Sequence, residues 1–550
     1  MAVSGSDDFT DDPSVVTIPA IVGDRARRIG AKVAIVAPDA DGTLRRMTYR
    51  DLEARVRQVA KALMARGTQR GDRVALWAPN IWEWIVLAFG AQSAGAAIVP
   101  VNTRYKGREA AYLLAKSGAR LLFTVTDFLD TDYVDLLDRA GDRGTTVPSL
   151  EQVVVVRGAV PADAISLDEF LVGGDTVSDA ELDERIASIG PGDMADVSFT
   201  SGTTGNPKGV VATHEQQSQP FRGWVEVVGL EARDRVMVIA PFFHSFGSKA
   251  GFFTSVLAGA TVYPQLTFDP DATLRLIEEE RISVIPGPPA IFQTLLQRPD
   301  RDAFDLSSLR LAVTGSANVP VELVVAMREV LEFDRVVTGY GLTEASGIAT
   351  MCRWDDDPET IARTAGRALP GVRIRIVGPN GDELPAGENG EVLIAGYNVM
   401  TGYWDEPEET ARTVVDGWLH TGDIGFLDER QNLRITDRAK DMYIVGGFNA
   451  YPVEIENTLG RHRAIRQAAV IGVPDERLGE VGMAFVILEP GFDLTEGELI
   501  AWTRDELANF KVPRYVEFVD ELPKNASEKV LKPTLRAAAP AVLAARHTDG

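Results

Sequence analysis

Short apolar runs rich in β-branched residues alternate with amphipathic segments along most of the first 370 residues of the chain. The runs include DRVALWAP, ARLLFTV, RVMVIAP, ISVIPGP and LRLAVTG, and the amphipathic segments include TYRDLEARVRQVAKALMARG and PDATLRLIEEER. Strands that are apolar throughout, separated by amphipathic helices, are typical of parallel sheets that helices cover on both faces. The pattern predicts an α/β fold built of such layers.

The texture changes in the last third of the chain. In VRIRIVGPNGDELPAGENGEVLIAG, polar and apolar residues alternate around PNG and ENG, which is typical of antiparallel hairpins. We expect a β-rich subdomain at about 365–437. After DRAKD, a helix at VEIENTLGRH, strands at QAAVIGVP and GMAFVILEP, and a helix at TEGELIAWTRDELANF indicate a small α+β domain. The predicted division is an N-terminal domain at 1–439 and a C-terminal domain at 440–550.

Length and composition support this division and limit the class of ligand. A chain of 550 residues, 45% of them hydrophobic, is too long for one ordinary core. Its 56 basic and 80 acidic residues give a formal charge of −24, which repels nucleic acid and anionic lipid over most of the surface. A phosphate-bearing ligand must therefore be bound locally, by backbone N–H groups and a few lysine or arginine side chains.

The sequence predicts a cytoplasmic location. Cys352 is the single cysteine, and MAVSGSDDFTDD lacks the basic and apolar regions of a signal peptide. The longest uncharged run, Trp84 to Val101, contains glycine, serine, glutamine and proline, so it predicts a buried helix followed by a strand and not a membrane span. The acidic start and the alanine-rich end are both expected to be frayed.

The strongest local motif is FTSGTTGNPKGV, which begins at Phe199. Its glycines let backbone amides approach an anion, its hydroxyl groups add donors, and its lysine adds positive charge. It differs from the Walker pattern because no serine or threonine follows the lysine. A flexible linker is disfavoured by the apolar segments on either side. The residues predicted to bind phosphate are Thr200, Ser201, Gly202, Thr203, Thr204, Gly205 and Lys208.

Two further motifs carry groups that suit a nucleotide, and a third places a histidine after a strand. YGLTE places Glu344 on a tight turn, where a carboxylate can bind Mg²⁺, although the motif alone could be a helix cap. GWLHTGD offers Asp423 to ribose hydroxyls, although alone it could be a turn aspartate. PFFHSFG places His244 after a strand, where a histidine is more often structural than catalytic.

The motifs TSGTTGNPKG, YGLTE, GWLHTGD and DRAKD occur in the order and at the spacing of one family. The chain resembles the adenylate-forming superfamily of acyl-CoA synthetases, adenylation domains and luciferases from about Thr17 to Leu535. The resemblance implies an AMP-forming ligase. Such an enzyme converts a carboxylic acid and ATP to an acyl-adenylate and pyrophosphate, and then transfers the acyl group to CoA with release of AMP. The resemblance also implies Mg²⁺ as a cofactor and a small C-terminal domain that rotates between the two steps.

The resemblance assigns roles residue by residue. It makes Lys529, His244, Glu344, Thr200 and Lys208 the catalytic residues, with Glu344 also the metal ligand. Lys440 matches the hinge, and the loop from Tyr443 to Asn449 faces the acyl-adenylate in the second orientation. The other implied nucleotide and CoA contacts are Gly315, Ser316, Ala317, Tyr340, Gly341, Leu342, Thr343, Asp423, Arg438, Lys440, Gly446 and Gly447.

The resemblance also implies an acyl pocket with mostly apolar and small walls, suited to a broad apolar acid. APFFHSFGSKAG and ITDRAKDMYIVGGFNAYPVEIE are most similar to actinobacterial ligases for the bicyclic indane propionates left from steroid rings. A polycyclic or terpenoid acid is the preferred substrate, and a medium or long fatty acid is the alternative. The implied walls are Phe243, His244, Ser245, Gly247, Lys249, Gly251, Val313, Ser316, Tyr340, Gly341 and Leu342.

One departure from the family leaves alternatives open. The family lysine usually follows glycine, whereas this chain has Glu528 before Lys529, which predicts impaired adenylation and an enzyme that takes preformed acyl-AMP from a separate enzyme. A tolerated loop residue is the other interpretation, and Lys532 is expected to be a surface charge. A luciferase-like oxygenase, a non-catalytic nucleotide-binding protein and a ligase that loads a carrier protein are further alternatives, and a homodimer is a further hypothesis.

Overall fold

Two sheets of mainly parallel strands form the larger part of the molecule, as the alternating pattern predicts. The computed structural model describes residues 11–201, 206–315, 319–438, 443–523, 530 and 532–546. In the first sheet the inner strands are parallel and the edge pairs are antiparallel. Its strands lie in the order Arg367–Ala368, Thr350–Met351, Arg335–Tyr340, Leu311–Thr314, Val284–Pro286, Arg235–Val238, Thr261–Pro264, Val33–Pro38 and Leu44–Thr48.

The second sheet carries the strand that leads into the phosphate motif. Met194–Ser201 pairs antiparallel with Pro207–Thr213, so these two strands contain residues from both ends of the motif, and the strands beyond Met194–Ser201 are parallel. The order across this sheet is Gly402–Tyr403, Pro207–Thr213, Met194–Ser201, Ala97–Pro100, Arg73–Trp77, Leu121–Val125, Gln152–Arg157 and Ile165–Ser166.

Helices cover these sheets, and one of them is buried on every side. Every residue of Trp82–Ser93 is buried, and a Cβ added at Gly90 would lie 2.4 Å from Val59 Cγ1 on the neighbouring helix. The strand Ala97–Pro100 follows it, which confirms the predicted helix and strand in the uncharged run. No helix in the described part of the chain has the length and apolar character needed to span a membrane. The helices are Ile18–Ile29, Tyr49–Ala65, Trp82–Ser93, Gly107–Ser117, Tyr133–Asp138, Arg143–Thr146, Leu167–Val172, Asp179–Ala187, His214–Val228, Ser245–Gly247, Thr254–Ala258, Pro270–Glu280, Pro289–Leu296, Val321–Glu329, Pro358–Arg363, Pro407–Thr413, Pro452–Leu459, Glu496–Glu506 and Lys532–Arg546.

A third sheet forms the predicted β-rich part, and its strand pairs are antiparallel. The strands Arg373–Val377, Gly390–Ala395, Trp418–Leu427 and Val414–Val415 lie in this order, and Leu433–Arg438 also pairs with Trp418–Leu427. The fourth sheet belongs to the C-terminal region and packs with the helices Pro452–Leu459 and Lys532–Arg546. Its strands lie in the order Phe448–Ala450, Tyr443–Val445, Gly479–Leu488 and Ile465–Asp475, with Tyr515–Phe518 also paired to Gly479–Leu488.

Two expectations about the chain ends are wrong. The alanine-rich end is a helix, because Leu535 and Ala539 are buried and Arg546 pairs with Glu496 at 2.7 Å. Lys532 is not a surface charge, since its side chain is buried and lies 2.7 Å from Glu456 Oε1.

Candidate active site

A single cavity of about 930 Å³ brings most of the sequence motifs together. It opens at the carboxyl ends of parallel strands, where ligands bind in open α/β sheets. Leu311–Thr314 and Arg335–Tyr340 are two of these strands. The predicted site residues that line the cavity are Thr200, Lys208, His244, Ser245, Val313, Gly315, Tyr340, Gly341, Leu342, Thr343, Glu344, Asp423 and Gly447.

Several predicted residues lie outside the described part of the chain. They are Gly202, Thr203, Thr204, Gly205, Ser316, Ala317, Lys440, Glu528 and Lys529. The side chains of Ser201 and Arg438 also lie outside the described part, and the roles of all these residues stay predictions.

Tyr340 and Asp423 meet on one side of the cavity. The Tyr340 hydroxyl donates to Asp423 Oδ2 at 2.6 Å, and the backbone N–H of Asp423 donates to Thr421 Oγ1 at 3.0 Å. Asp423 lies opposite Arg438 in the antiparallel register of Trp418–Leu427 and Leu433–Arg438. The two motifs GWLHTGD and DRAKD are therefore neighbours in space, as a shared ribose site requires.

The phosphate side contains two residues that sequence analysis did not identify. Lys208 Nζ lies 2.6 Å from Glu409 Oε2 and 5.1 Å from the centre of the Tyr403 ring. The Tyr403 hydroxyl donates to Glu344 Oε1 at 2.9 Å. Burial and the nearby Glu344 raise the pKa of Tyr403, so its phenol remains protonated and can donate. No motif marks Tyr403 or Glu409. Both lie about 200 residues after Lys208 in the sequence, and the pairing of Gly402–Tyr403 with Pro207–Thr213 brings them to the site.

His244 faces the cavity from the start of a helix. Its Nδ1 accepts the backbone N–H of Phe246 at 3.2 Å, and the helix from Ser245 to Ala258 contains a π-helical segment at Ser248–Phe253. The ring is accessible from the cavity but is surrounded by protein, and this desolvation, assisted by the charge of Lys249, lowers the pKa of His244 to about 4. The ring is therefore neutral near pH 7, and its Nε2–H can donate to an oxygen in the cavity.

The wall of the acyl side differs in part from the predicted set. Gly247 and Gly251 line neither of the two cavities. A Cβ at Gly247 would lie 2.2 Å from the Ala240 carbonyl oxygen, and one at Gly251 would lie 2.7 Å from Val238 Cγ1, so both glycines allow the helix to pack closely. Apolar residues that the prediction omitted line the cavity instead. They are Phe221, Trp224, Phe246, Ala250 and Ile348. The spacing of Phe221 and Trp224 on one helix face was a signal available in the sequence.

A second cavity of about 110 Å³ adjoins the first. Thr200, His244, Ser245, Thr343, Gly447 and Tyr451 line both. Phe243 and Lys249 line the smaller cavity, where Lys249 pairs with the buried Asp196 at 2.9 Å. Phe448 and Phe510 of the C-terminal region complete its wall and stack at 4.9 Å between ring centres.

The C-terminal region presents a hairpin to both cavities. Tyr443–Val445 and Phe448–Ala450 pair across a turn in which Gly446 and Gly447 have φ values of 55° and 86°. The left-handed conformation at both turn positions favours glycine. Ile444 and Gly447 line the large cavity, so the hairpin faces the site in the second of the two orientations that the resemblance implies.

A buried charge cluster joins the C-terminal region to the larger part. Lys511 Nζ lies 2.9 Å from Glu109 Oε1 and 2.7 Å from Glu454 Oε1, and the lysine side chain is 1% exposed. Glu109 Oε2 also accepts the backbone N–H of Ala508 at 3.1 Å. Burial raises the pKa of Glu454 despite the neighbouring lysine. Sequence analysis missed this cluster, although a lysine within the apolar ANFKVP was a signal.

Comparisons with known proteins agree with this geometry. The family model for AMP-binding enzymes matches residues 23–404, and that for the C-terminal domain of these enzymes matches residues 454–529. A ligase of Rhodococcus jostii (strain RHA1), named 3-[(3aS,4S,7aS)-7a-methyl-1,5-dioxo-octahydro-1H-inden-4-yl]propanoyl:CoA ligase, is 47% identical over 96% of this chain and 99% of its own. A ligase of the same name from Mycobacterium tuberculosis (strain ATCC 25618 / H37Rv) is 49% identical over 94% and 98%.

A solved structure extends the likeness to the fold. The amide bond synthetase McbA from Marinactinospora thermotolerans superposes with a TM-score of 0.80 at 30% identity, over 95% of this chain and 99% of that one. These matches confirm the predicted fold, with an α/β N-terminal part, a β-rich subdomain and a small α+β C-terminal domain. The chain therefore belongs to the AMP-binding enzyme family, in which it is an AMP-forming acyl-CoA ligase.

Proposed function

We propose that the protein converts a bulky polycyclic carboxylic acid of the steroid-derived or terpenoid type to its CoA thioester, through an acyl-adenylate. One observation carries the proposal. A single cavity of about 930 Å³ joins polar nucleotide groups to an apolar wall, and its volume is at the upper end of the range of roughly 300–1,000 Å³ for small-molecule sites. The cavity therefore suits a nucleotide and a broad acyl group together.

In the first half-reaction the carboxylate oxygen bonds to the α-phosphorus of ATP and pyrophosphate leaves. Lys208 and the backbone amides of the phosphate loop bind the phosphates, and Asp423 accepts hydrogen bonds from the ribose hydroxyls. His244 donates from Nε2 to the acyl oxygen as a neutral ring. Lys529 is the proposed adenylation lysine, and it lies outside the described residues.

Glu344 fits a metal ligand. It lines the cavity on the same side as Lys208, and Mg²⁺ prefers carboxylate oxygens and phosphates as ligands. The Tyr403 hydroxyl holds the carboxylate from its Oε1 side. Bound there, Mg²⁺ supplies positive charge to the phosphates as pyrophosphate leaves.

In the second half-reaction the CoA thiol attacks the acyl carbon and AMP leaves. The smaller cavity adjoins the larger one at Thr200 and His244, and Gly447 of the hairpin turn lines both cavities. We propose that pantetheine enters by this route. The domain division at 439 and 440, a hinge at Lys440, a homodimer and a cytoplasmic location remain part of the proposal.

We expect the enzyme to prefer a bicyclic propionate over a straight-chain acid with the same number of carbon atoms, by about tenfold or more in kcat/KM. Both acids bury similar apolar area at roughly 25 cal/mol per Å², but the linear chain loses more rotational entropy. CoA thioester formation from the two acids, with acetate as a short control, measures this. Equal or better use of the linear acid would favour a fatty acyl-CoA ligase.

A second candidate is an enzyme that performs only the thioester step on acyl-AMP made elsewhere. Glu528 beside Lys529 and the observed orientation of the hairpin favour it. Under this hypothesis, the wild type converts supplied acyl-AMP to thioester but releases pyrophosphate from ATP about 100-fold more slowly than Glu528→Gly. Assays of pyrophosphate release and of thioester formation, each in the wild type and in Glu528→Gly, distinguish this enzyme from a two-step ligase. Fast adenylation by the wild type, with no gain from glycine, would leave an ordinary two-step ligase.

A further inference from the structure

The phosphate-loop lysine has a carboxylate partner inside the cavity that no motif assigns. Lys208 Nζ lies 2.6 Å from Glu409 Oε2, with the lysine side chain 7% exposed and the glutamate 24% exposed. The hydrogen bond from Lys208, which outweighs the opposing effect of burial, lowers the pKa of Glu409 below its ordinary value. Glu409 is therefore ionised near neutral pH.

The backbone around Glu409 is fixed to the strand that carries Lys208. Tyr403 pairs with Val210 in antiparallel register, and the backbone N–H of Trp404 donates to the Gly209 carbonyl oxygen at 2.6 Å. Thr410, next to Glu409, accepts the backbone N–H of Tyr403 through Oγ1 at 2.8 Å. These hydrogen bonds hold the segment around Glu409 next to Lys208. The fold therefore determines the pair, which is not a chance contact of an exposed side chain.

Phosphate oxygens and the Glu409 carboxylate need the same ammonium group. In a site shielded from water a carboxylate beside Lys208 offsets its positive charge and repels a phosphate that approaches it. Arg412 Nη1 lies 2.9 Å from Glu409 Oε1, so Glu409 keeps a cationic partner when Lys208 turns to a ligand. Lys208 can therefore move between Glu409 and a bound phosphate while Glu409 keeps Arg412 as a cationic partner.

We propose that Glu409 is a positioning residue that competes with pyrophosphate for Lys208 and so promotes pyrophosphate departure after adenylation. The inference rests on the proposed function of the phosphate loop and goes beyond it. The pair is formed while the C-terminal hairpin faces the cavity, which is the orientation that follows pyrophosphate release. When Lys208 pairs with Glu409, the lysine is not available to pyrophosphate. Rebinding of pyrophosphate and reversal of adenylation are therefore both disfavoured.

The test is the affinity of the protein for pyrophosphate, measured by calorimetry with Mg²⁺ present. Glu409→Ala should bind pyrophosphate about 3- to 10-fold more tightly than the wild type, and Glu409→Gln should be intermediate. Glu408→Ala is the matched control, since Glu408 is the exposed neighbour on the same helix, and it should bind within about twofold of the wild type. In kinetics, Glu409→Ala should lower the KM for ATP and strengthen inhibition by pyrophosphate, without raising kcat.

Unchanged or weaker binding of pyrophosphate by Glu409→Ala would overturn the inference. An equal gain in Glu408→Ala would also overturn it, because a general loss of negative charge would then explain the effect. If neither the wild type nor any variant binds pyrophosphate or ATP, the proposed function of the phosphate loop itself fails. Thermal unfolding of each variant, compared with that of the wild type, checks that it is folded.

Discussion

Replacing Glu344 or Lys208 by alanine should lower ATP-dependent pyrophosphate release by about 30- to 900-fold, which corresponds to ~2–4 kcal/mol of transition-state stabilisation. Glu344→Ala removes the carboxylate proposed to bind Mg²⁺, and Lys208→Ala removes the positive charge that the phosphates require. Both side chains line the same cavity, so both losses fall on the same step. Pyrophosphate release with a saturating acid substrate measures the effect.

Two controls separate this loss from general damage. Tyr403→Phe removes the hydrogen bond to Glu344 but keeps the carboxylate, and it should cost much less than Glu344→Ala. Conversion of supplied acyl-AMP to thioester should survive in the alanine variants within a few-fold. If the wild type releases pyrophosphate and both alanine variants release it equally fast, the assignment of Glu344 and Lys208 is refuted.

The sequence was sufficient for the fold because the strands are apolar throughout. Runs such as RVMVIAP have no polar face, and such a strand fits only in a sheet that is covered on both sides. The observed strand Arg235–Val238 lies between two parallel neighbours and is largely buried. The alternating VRIRIV is different, and it forms the antiparallel strand Arg373–Val377. The spacing of apolar positions in the sequence therefore distinguishes the mainly parallel sheets from the antiparallel one.

The sequence was insufficient where a role depends on a distant partner. Lys532 comes three residues after Lys529 near the end of the chain and resembles a surface lysine, but Glu456 reaches it from a helix about 75 residues earlier. Glu409 resembles any exposed helix glutamate until the strand Gly402–Tyr403 pairs beside Lys208. Charge pairs of this kind depend on tertiary packing, which local propensity does not encode.

The glycines of SFGSKAG show the same limit. The resemblance places Gly247 and Gly251 in the pocket wall, whereas a Cβ added at either would meet a neighbouring strand or the backbone that follows it. Glycine permits close approach of any neighbour, whether ligand or backbone, so the residue type alone does not distinguish the two. The aromatic residues Phe221 and Trp224, which the prediction omitted, line the large cavity.

Lys511→Met should slow thioester formation from supplied acyl-AMP by about 10- to 100-fold, while ATP-dependent pyrophosphate release changes by less than about threefold. Lys511 joins Glu109 of the larger part to Glu454 of the C-terminal region, in the orientation where the hairpin faces the cavity. Removing one member of a buried charge cluster costs ~3–5 kcal/mol because the remaining carboxylates lose their cation. The part of this cost that comes from the pair with Glu109 falls on this orientation alone, and in the proposed cycle adenylation uses the other one.

Two further variants decide whether the link between the two parts causes the loss. Glu109→Gln leaves the Lys511 to Glu454 pair intact within the C-terminal region, so it should slow the thioester step without unfolding that region. Arg108→Ala removes an outer pair with Glu506 in which the arginine is 61% exposed, and exposed pairs contribute little, so its rates should stay within about twofold of the wild type. Thermal unfolding of each variant monitors the fold. Equal slowing of both half-reactions in Glu109→Gln, or no slowing in either Lys511→Met or Glu109→Gln, would show that the cluster does not hold the thioester-forming orientation.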